Sequence, residues 1–552
     1  MAPLSRSYFA AAIDRLFAWT RSLPPETCSY TVSRLRIPVD DSVHVAADLY
    51  QPALNPPLGT LLVRSPYGLG LPNSLGLARI YAARGYQVLF TSCRGAPDSG
   101  GTGVDPGRHE AADGHAVVEW VREQEWYTGS FAMVGGSYMG YVQWALLSDD
   151  PPADMKAAVI KTGPHDFGGF LFGTGALNSE IIAWADLGVR MGRRDGFLSM
   201  MWHLRSQKTR LRPVFDAVPL LDAVEKYFGG EVPHYLRQAI THPDQEDEYW
   251  AALHQHRALE RAHMPILLMS GWYDLLLPQV MEQYSKLSAR GRTVALTVGP
   301  WTHLAAQRNA LQEPFDWLDE HFTHSKKDTR TSPVRVFITG ADEWRDLEKW
   351  PPPVSSQKLF LSGDKTLSPT APPADAPSSS FTFDPTNPTP SLGVPTLFDP
   401  GTSAREADTP LAPRADVLTF TTAPLDHDLE VCGKPVITLY HSTDNPNADL
   451  WVLLSEVNDT GDSYSISERY LRLDPDRKRE EPLELELRDC AHRFKKGHRV
   501  RLLLAGGSHP RYIRNLGTGD SPGTGSSMRS VVHTVRYGVG AVSRLVLPVS
   551  EV

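Results

Sequence analysis

A parallel β-sheet flanked by helices, interrupted by a helical insertion and followed by a separate β-sandwich, is the architecture predicted for this 552-residue chain. Three observations predict it. Apolar strand-like runs alternate with amphipathic helical runs from residue 61 to residue 160, the pattern of a parallel sheet with helices on both faces. Between Asp166 and about Arg257 helical spacing continues without a convincing strand, and the alternation resumes at Pro265. After about Thr331 the period falls to two, in short runs separated by turn clusters. The length itself calls for two or three domains.

The elements follow in order. Residues 30–50 read as an antiparallel hairpin. Strands are expected at 61–65, 87–91, 131–134 and 157–160, and helices at 74–84, 113–124 and 138–147. Residues 177–191 and 233–240 carry helical spacing within the insertion, and strands return at 265–270 and 293–298. In the C-terminal part, strands are expected at 357–361, 416–421, 434–440, 450–454, 483–487, 499–504 and 543–547. Residues 366–413, rich in Pro, Ser and Thr, read as long surface loops, and Pro351-Pro-Pro353 marks a boundary region. Many short strands without helices predict a jelly roll. No internal repeat stands out.

Chemistry enters at Ser137. It lies in Phe131-Ala-Met-Val-Gly-Gly-Ser137-Tyr-Met-Gly140, with an apolar strand before it and a helical run after it. A bare Gly-x-Ser triplet is usually a turn. This context makes it a nucleophile elbow, in which a sharp strand-to-helix turn exposes the hydroxyl. A serine hydroxyl needs a base to attack a carbonyl. Elbow hydrolases supply the acid and then the base further along the chain. Asp274 follows the strand 265–270 directly in Gly271-Trp-Tyr-Asp274, and His303 follows the strand 293–298 in Gly299-Pro-Trp-Thr-His303. Both sit just past strand C-termini, where open α/β sheets bind ligands. The predicted fold is therefore an α/β-hydrolase with a helical cap insertion and a C-terminal jelly-roll β-sandwich. The divisions are 1–164 (first hydrolase part), 165–258 (cap), 259–345 (second hydrolase part) and 346–552 (jelly roll). The oxyanion hole needs two donors: the backbone N–H of Tyr138, and one from the turn Pro66-Tyr67-Gly68 after an early strand. The Tyr67 phenol is a candidate for the second, although a tyrosine in such a turn is more often a packing residue.

Taken together, Arg64-Ser-Pro-Tyr67-Gly, Arg94-Gly-x-x-x-Ser99, Gly135-x-Ser137-Tyr138-x-Gly140, Gly271-Trp-Tyr-Asp274 and Gly299-Pro-Trp-x-His303 resemble the cocaine esterase and X-Pro dipeptidyl-peptidase-like serine hydrolases. The resemblance covers most of the chain, from about Tyr30 onward. It implies Ser137 as nucleophile, Asp274 as triad acid, His303 as base, and Tyr67 with the Tyr138 amide as oxyanion hole. It also implies a cap that shapes the acyl pocket and a C-terminal jelly roll. Met139 stands where the general Gly-x-Ser-x-Gly form has its last glycine, and the glycine comes one residue later, at Gly140. The resembled family shares that shift.

The expected activity is cleavage of an ester or amide acyl bond of a small molecule through an acyl-enzyme. Candidate acyl-pocket residues are Leu276 and Trp301 beside the acid and base, and Phe170, Phe172 and Trp184 in the cap. Phe398 belongs to a Leu397-Phe398 loop resembling one that reaches back to the pocket. Two readings keep the same triad: a biosynthetic acyltransferase, and an X-Pro-type dipeptidyl peptidase with an acid such as Asp166, Glu180 or Asp186 holding the free amine. A different class is a carbohydrate-binding jelly roll on a non-catalytic scaffold, with Phe398, Tyr440, Trp451 and Tyr512 as a sugar platform. No cofactor is expected. His109-Glu110 and His115 miss the spacing of a zinc helix, so no metal site is read there. A net charge of −9 without a basic stripe argues against nucleic acid. Cys28, Cys93, Cys432 and Cys490 have no disulfide or metal spacing, which points to a reducing, cytoplasmic setting. Phe9, Ile13, Leu16, Phe17 and Ala18 predict an N-terminal docking helix rather than a signal peptide, since Asp14 and Arg15 break the apolar run. No stretch is long enough to span a bilayer. A homodimer is one option for the assembly.

Overall fold

The computed structural model describes residues 3–192, 197–244, 247–393, 395–397, 407–478, 480–538 and 540–550. In chain order the first part runs β1 (Leu4–Ser5), α1 (Tyr8–Thr20), β2 (Tyr30–Pro38), β3 (His44–Pro52) and β4 (Thr60–Ser65). A π turn, Leu75–Arg79, then leads into α2 (Ile80–Ala82). β5 (Gln87–Ser92), α3 (Glu110–Arg122), β6 (Phe131–Gly136), α4 (Tyr138–Leu147) and β7 (Met155–Lys161) follow. The cap comprises α5 (Phe167–Phe172), α6 (Glu180–Gly192), α7 (Phe197–Asp216), α8 (Leu220–Tyr227), α9 (His234–Thr241), α10 (Glu248–Ala251) and α11 (His256–Arg261). The sheet resumes with β8 (Ile266–Tyr273), α12 (Leu277–Ala289), β9 (Val294–Thr302), α13 (His303–Arg308), α14 (Gln312–His321), β10 (Val334–Ile338) and β11 (Glu343–Leu347).

These strands form one sheet of order β1-β2-β3-β5-β4-β6-β7-β8-β9-β10-β11. The run from β5 to β10 is parallel, and β1–β3 and β11 add antiparallel edges. Strands β4, β5 and β6 are buried along their whole length, which explains their continuous apolar sequence: helices cover both faces. Because the strands are parallel, their C-terminal ends share one edge. The turns after β4, β6, β8 and β9 therefore deliver Tyr67, Ser137, Asp274 and His303 to the same side of the sheet.

The N-terminal helix forms, but it packs differently from the expectation. Phe9 and Leu16 are exposed, as are Tyr8 and Trp19, while Asp14 and Ala18 are buried. Asp14 accepts from the Tyr30 hydroxyl at 2.9 Å and pairs with Arg6 and Arg79, each at 2.7 Å. The charge that interrupts the apolar run is what ties the helix down. Replacing Asp14 would leave the Arg79 guanidinium without its carboxylate in a buried place, which is strongly destabilising.

The C-terminal part consists of two packed β-sheets. One contains Val417–Thr421, Arg499–Ala505, Asp449–Val457 and Ser463–Arg472 in that order. The other, nine-stranded among the described residues, includes Val354–Leu361, Arg544–Ser550, Val436–Thr443 and Val531–Arg536. Leu359, Val431, Leu439, Leu454, Leu502 and Leu547 fill the space between them. Ser379–Phe383 pairs with Val531–Arg536 inside the stretch expected to be loops. Its Ser-Ser-Phe-Thr-Phe alternation is only five residues long and is masked by its Pro- and Ser-rich surroundings. Trp451 and Tyr512 are buried and therefore form no sugar platform. Tyr512 stacks on Tyr470 at 4.2 Å and bridges to Asn178 of the cap. Phe398 lies outside the described residues. Among the described residues, no helix is long and apolar enough to cross a membrane.

Candidate active site

Ser137 stands between β6 and α4 with φ 57° and ψ −126°, a backbone conformation that side-chain-bearing residues seldom adopt. The turn is held by Ser137 N–H to Lys161 O at 2.8 Å and by Gly140 N–H to Ser137 O at 2.9 Å. Gly140 explains the shifted motif. A Cβ there would meet the Gly163 Cα at 2.7 Å, so the glycine lets α4 lie directly against the chain leaving β7.

The three predicted residues meet. The Ser137 hydroxyl lies 3.0 Å from His303 Nε2, and His303 Nδ1 lies 3.0 Å from Asp274 Oδ1. With Nδ1 carrying the proton, the imidazole donates to the carboxylate and offers Nε2 as acceptor to the serine. Asp274 is fully buried. It also accepts from the Leu276 N–H at 3.0 Å and the Ser270 hydroxyl at 3.2 Å. Its main-chain carbonyl accepts from Arg488 of the jelly roll, so the C-terminal sandwich braces the acid loop.

Tyr67 is fixed by its own turn. Its N–H donates to Ser65 Oγ at 3.1 Å, and its carbonyl accepts from Asn73 at 3.0 Å. Its phenol accepts from Trp184 Nε1 at 3.3 Å and lies beside the Ser137 hydroxyl. Burial raises the phenol's pKa, and the contacts with Trp184 and Ser137 pull the other way without cancelling it. The group therefore stays a proton donor at neutral pH. Tyr138 is buried, and its hydroxyl donates to Glu110 Oε1 at 2.7 Å. Arg64 holds the same carboxylate at 2.9 Å and the Glu110 carbonyl at 2.7 Å. This buried network behind the elbow was not legible in the sequence, where Glu110 stands out only beside His109 and Arg64 only as part of a motif.

The candidate pocket residues divide. Phe170 and Trp184 pack against the buried cluster of Leu275, Leu276 and Leu397. The Leu397 loop thus reaches the cap, where its N–H donates to Glu180 at 3.1 Å. Phe172 is a correction: it is buried in the cap core against Trp250, 5.6 Å away. Trp301 lies across Gly299 and meets Trp344 at 5.6 Å, on the β10–β11 side. A cavity of about 130 Å³ opens between the cap, the Asp274 loop and the jelly roll, with Phe170, Leu276, Arg488 and Tyr512 in its wall.

Among the described residues, two groups present three metal-ligand side chains each: His165, His256 and Glu282, and Asp166, His254 and His256. Asp166 already accepts from His254 at 2.6 Å and from the Gly169 N–H at 2.7 Å, and His256 lies 3.3 Å away. Burial opposes its charge, but the bonds from His254 and His256 prevail and hold it well below the usual carboxylate range. His165 Nδ1 accepts from Gln283 at 3.2 Å, which leaves the proton on the nitrogen facing Glu282. These groups latch the two chain ends of the cap together. Glu110, next to His109, has its carboxylate held by Arg64 and Tyr138.

A serine, a histidine and a buried carboxylate in hydrogen-bond sequence at the strand ends of such a sheet define an α/β-hydrolase-type serine hydrolase. Comparison with known proteins agrees. A family model described as X-Pro dipeptidyl-peptidase (S15 family) matches residues 41–305, and one described as X-Pro dipeptidyl-peptidase C-terminal non-catalytic domain matches residues 326–544. The chain belongs to the cocaine esterase and X-Pro dipeptidyl-peptidase-like family of serine hydrolases, which act on ester or amide bonds. It is 27% identical to the cocaine esterase of Rhodococcus sp. (strain MB1 Bresler), over 94% of this chain and 99% of that protein. It is 24% identical to the putative serine esterase Mb1866c of Mycobacterium bovis (strain ATCC BAA-935 / AF2122/97), over 88% and 92%. Among solved structures, an alpha-amino acid ester hydrolase superposes with a TM-score of 0.79 at 20% identity, over 94% of this chain and 97% of that one. SACOL2612, a CocE/NonD family hydrolase from Staphylococcus aureus, gives 0.67 at 16% identity, over 95% and 94%.

Proposed function

We propose that this enzyme cleaves small-molecule esters of a bulky or aryl acyl group through an acyl-enzyme on Ser137. The observation that carries the reading is the position of His303, 3.0 Å from both the Ser137 hydroxyl and the Asp274 carboxylate. His303 takes the serine proton as the hydroxyl attacks the acyl carbon, and Asp274 keeps the proton on Nδ1 and balances the imidazolium. Tyr67 and the Tyr138 N–H receive the developing oxyanion. His303 then protonates the departing alcohol, and water repeats the sequence to free the acid. Phe170 and Trp184 pack with Leu275, Leu276 and Leu397 beside the Asp274 loop, an apolar cluster in keeping with an acyl group that is not a small acetyl. Unpaired cysteines, three of them buried, are in keeping with a cytoplasmic enzyme. The test is a panel of p-nitrophenyl esters, aryl amides and Gly-Pro-type amides. Arylacyl esters should have the highest kcat/KM, and a preference for Gly-Pro amides would overturn the ester reading.

Tyr67→Phe keeps the ring and removes the donor. It should lower kcat by roughly 10²–10³-fold, as for other single oxyanion donors, with only a small fall in thermal midpoint from the Trp184 N–H that loses its acceptor. Full kcat, or a change in KM alone, would remove Tyr67 from the oxyanion hole.

One observation favours a second reading, in which the acyl group carries a free amine. Of the three acids considered for that role, Asp166 is taken by His254, and Asp186 is paired with Arg190 and Arg210, both at 2.9 Å. Glu180 accepts only the Leu397 N–H among the described contacts. Burial raises its pKa, and that bond with the charges of Arg511 and Lys208 offsets only part of the shift. An ammonium group would be bound by the carboxylate, so the preference should grow as pH rises through the raised pKa and disappear below it. The measurement is KM for esters with and without an α-amino group across pH. Glu180→Gln should flatten the difference, and a preference unchanged by Glu180→Gln would rule this reading out.

A further inference from the structure

We infer that Trp184 is a positioning residue for the oxyanion hole: its indole N–H, delivered by the cap, aims the Tyr67 hydroxyl at the reacting carbonyl. This rests on the reading of Tyr67 as an oxyanion donor. Ser137, Asp274 and His303 all stand on the sheet domain, at the ends of β6, β8 and β9. The Tyr67 hydroxyl is different, because its partner Trp184 belongs to cap helix α6. A phenol O–H rotates about its C–O bond and can donate in more than one direction. Trp184 carries no acceptor, so its N–H occupies one side of the Tyr67 oxygen and leaves the phenolic proton to turn elsewhere. The same hydroxyl lies beside Ser137, where the tetrahedral oxyanion forms. Accepting one hydrogen bond also strengthens the bond that the same hydroxyl donates.

The indole is held rigidly enough to do this. It stacks on the Tyr138 ring at 5.7 Å and 15°. It also meets Tyr235 of α9 at 5.3 Å and Phe167 of α5 at 6.2 Å. Tyr138 is itself anchored through Glu110 and Arg64, and it supplies the other oxyanion donor from its backbone. Trp184 thus touches both residues assigned to the hole, and the seating of the cap and the strength of the hole become one property.

The test removes the N–H alone. Replacing Trp184 by β-(3-benzothienyl)alanine keeps the bicyclic shape and puts sulfur in place of the N–H. Trp184→Phe serves as the encodable version, with the thermal midpoint as the check on folding. Each change is made in the native enzyme and in Tyr67→Phe, and p-nitrophenyl ester turnover and the rate of fluorophosphonate inactivation are measured. In the native background kcat and the inactivation rate should both fall about three- to tenfold, the size of one neutral hydrogen bond, with little change in KM for the benzothienyl enzyme. In the Tyr67→Phe background the same replacement should have no further effect on kcat. An equal loss in both backgrounds, no loss in either, or a change in KM alone would leave Trp184 with an apolar packing role only and overturn the inference. If instead Tyr67→Phe by itself retains full kcat, the oxyanion reading of Tyr67 has failed, and this inference fails with it.

Discussion

Ser137→Ala is expected to abolish fluorophosphonate labelling and to lower kcat/KM by on the order of 10⁴–10⁶-fold. The hydroxyl is the only atom removed, and alanine keeps the Cβ that already tolerates the elbow's positive φ, so the fold and thermal midpoint should be unchanged. Since a 3.0 Å hydrogen bond joins Ser137 and His303 and the proposed mechanism uses them as one unit, His303→Ala should cost nearly as much as the double variant. Peptide mapping of the labelled protein and single-turnover kinetics check both statements. A labelled serine elsewhere, or two losses that multiply in full, would refute the assignment.

Asp274→Ala is expected to lower kcat by roughly 10⁴-fold, with the thermal midpoint also falling. The carboxylate is fully buried and accepts three hydrogen bonds, from His303, Leu276 and Ser270. Removing it leaves buried donors without acceptors, at about 1–3 kcal/mol each. Asp274→Asn should be milder for a reason specific to this site. The Ser270 hydroxyl can accept as well as donate. An asparagine can therefore keep its oxygen toward His303 and Leu276 and turn its amide N–H₂ toward Ser270. The histidine tautomer is then retained and only the negative charge is lost. Turnover of both variants, with thermal unfolding, separates orientation from charge. Equal losses in kcat would mean that the charge alone matters.

Much of the site was legible in the sequence because each part carries a local signature. A buried parallel strand is a short apolar run, and a residue just past its end falls on the binding edge whatever the rest of the chain does. Ser137, Asp274 and His303 each follow such a run, and Tyr67 follows another after a Pro-Tyr-Gly turn. The switch from helical spacing to period two gave the jelly roll in the same way. The strand Ser379–Phe383 was missed because five alternating residues do not outweigh a Pro- and Ser-rich background. Phe172 was misplaced because an aromatic residue at helical spacing reads the same whether it faces a pocket or, as here, Trp250.

The sequence by itself determined which residues are available for acyl chemistry and in what order the chain presents them, since strand ends and elbows are written in a few adjacent residues. Only the tertiary structure decided their partners. That Trp184 meets Tyr67 across 117 positions, that Arg488 holds the Asp274 carbonyl across 214, and that Arg64 and Glu110 brace Tyr138 depends on how the cap and the jelly roll close on the sheet. Those contacts arise from burial of polar groups that must find a donor or acceptor wherever the packing leaves them, and the spacing of residues along the chain carries no record of that choice.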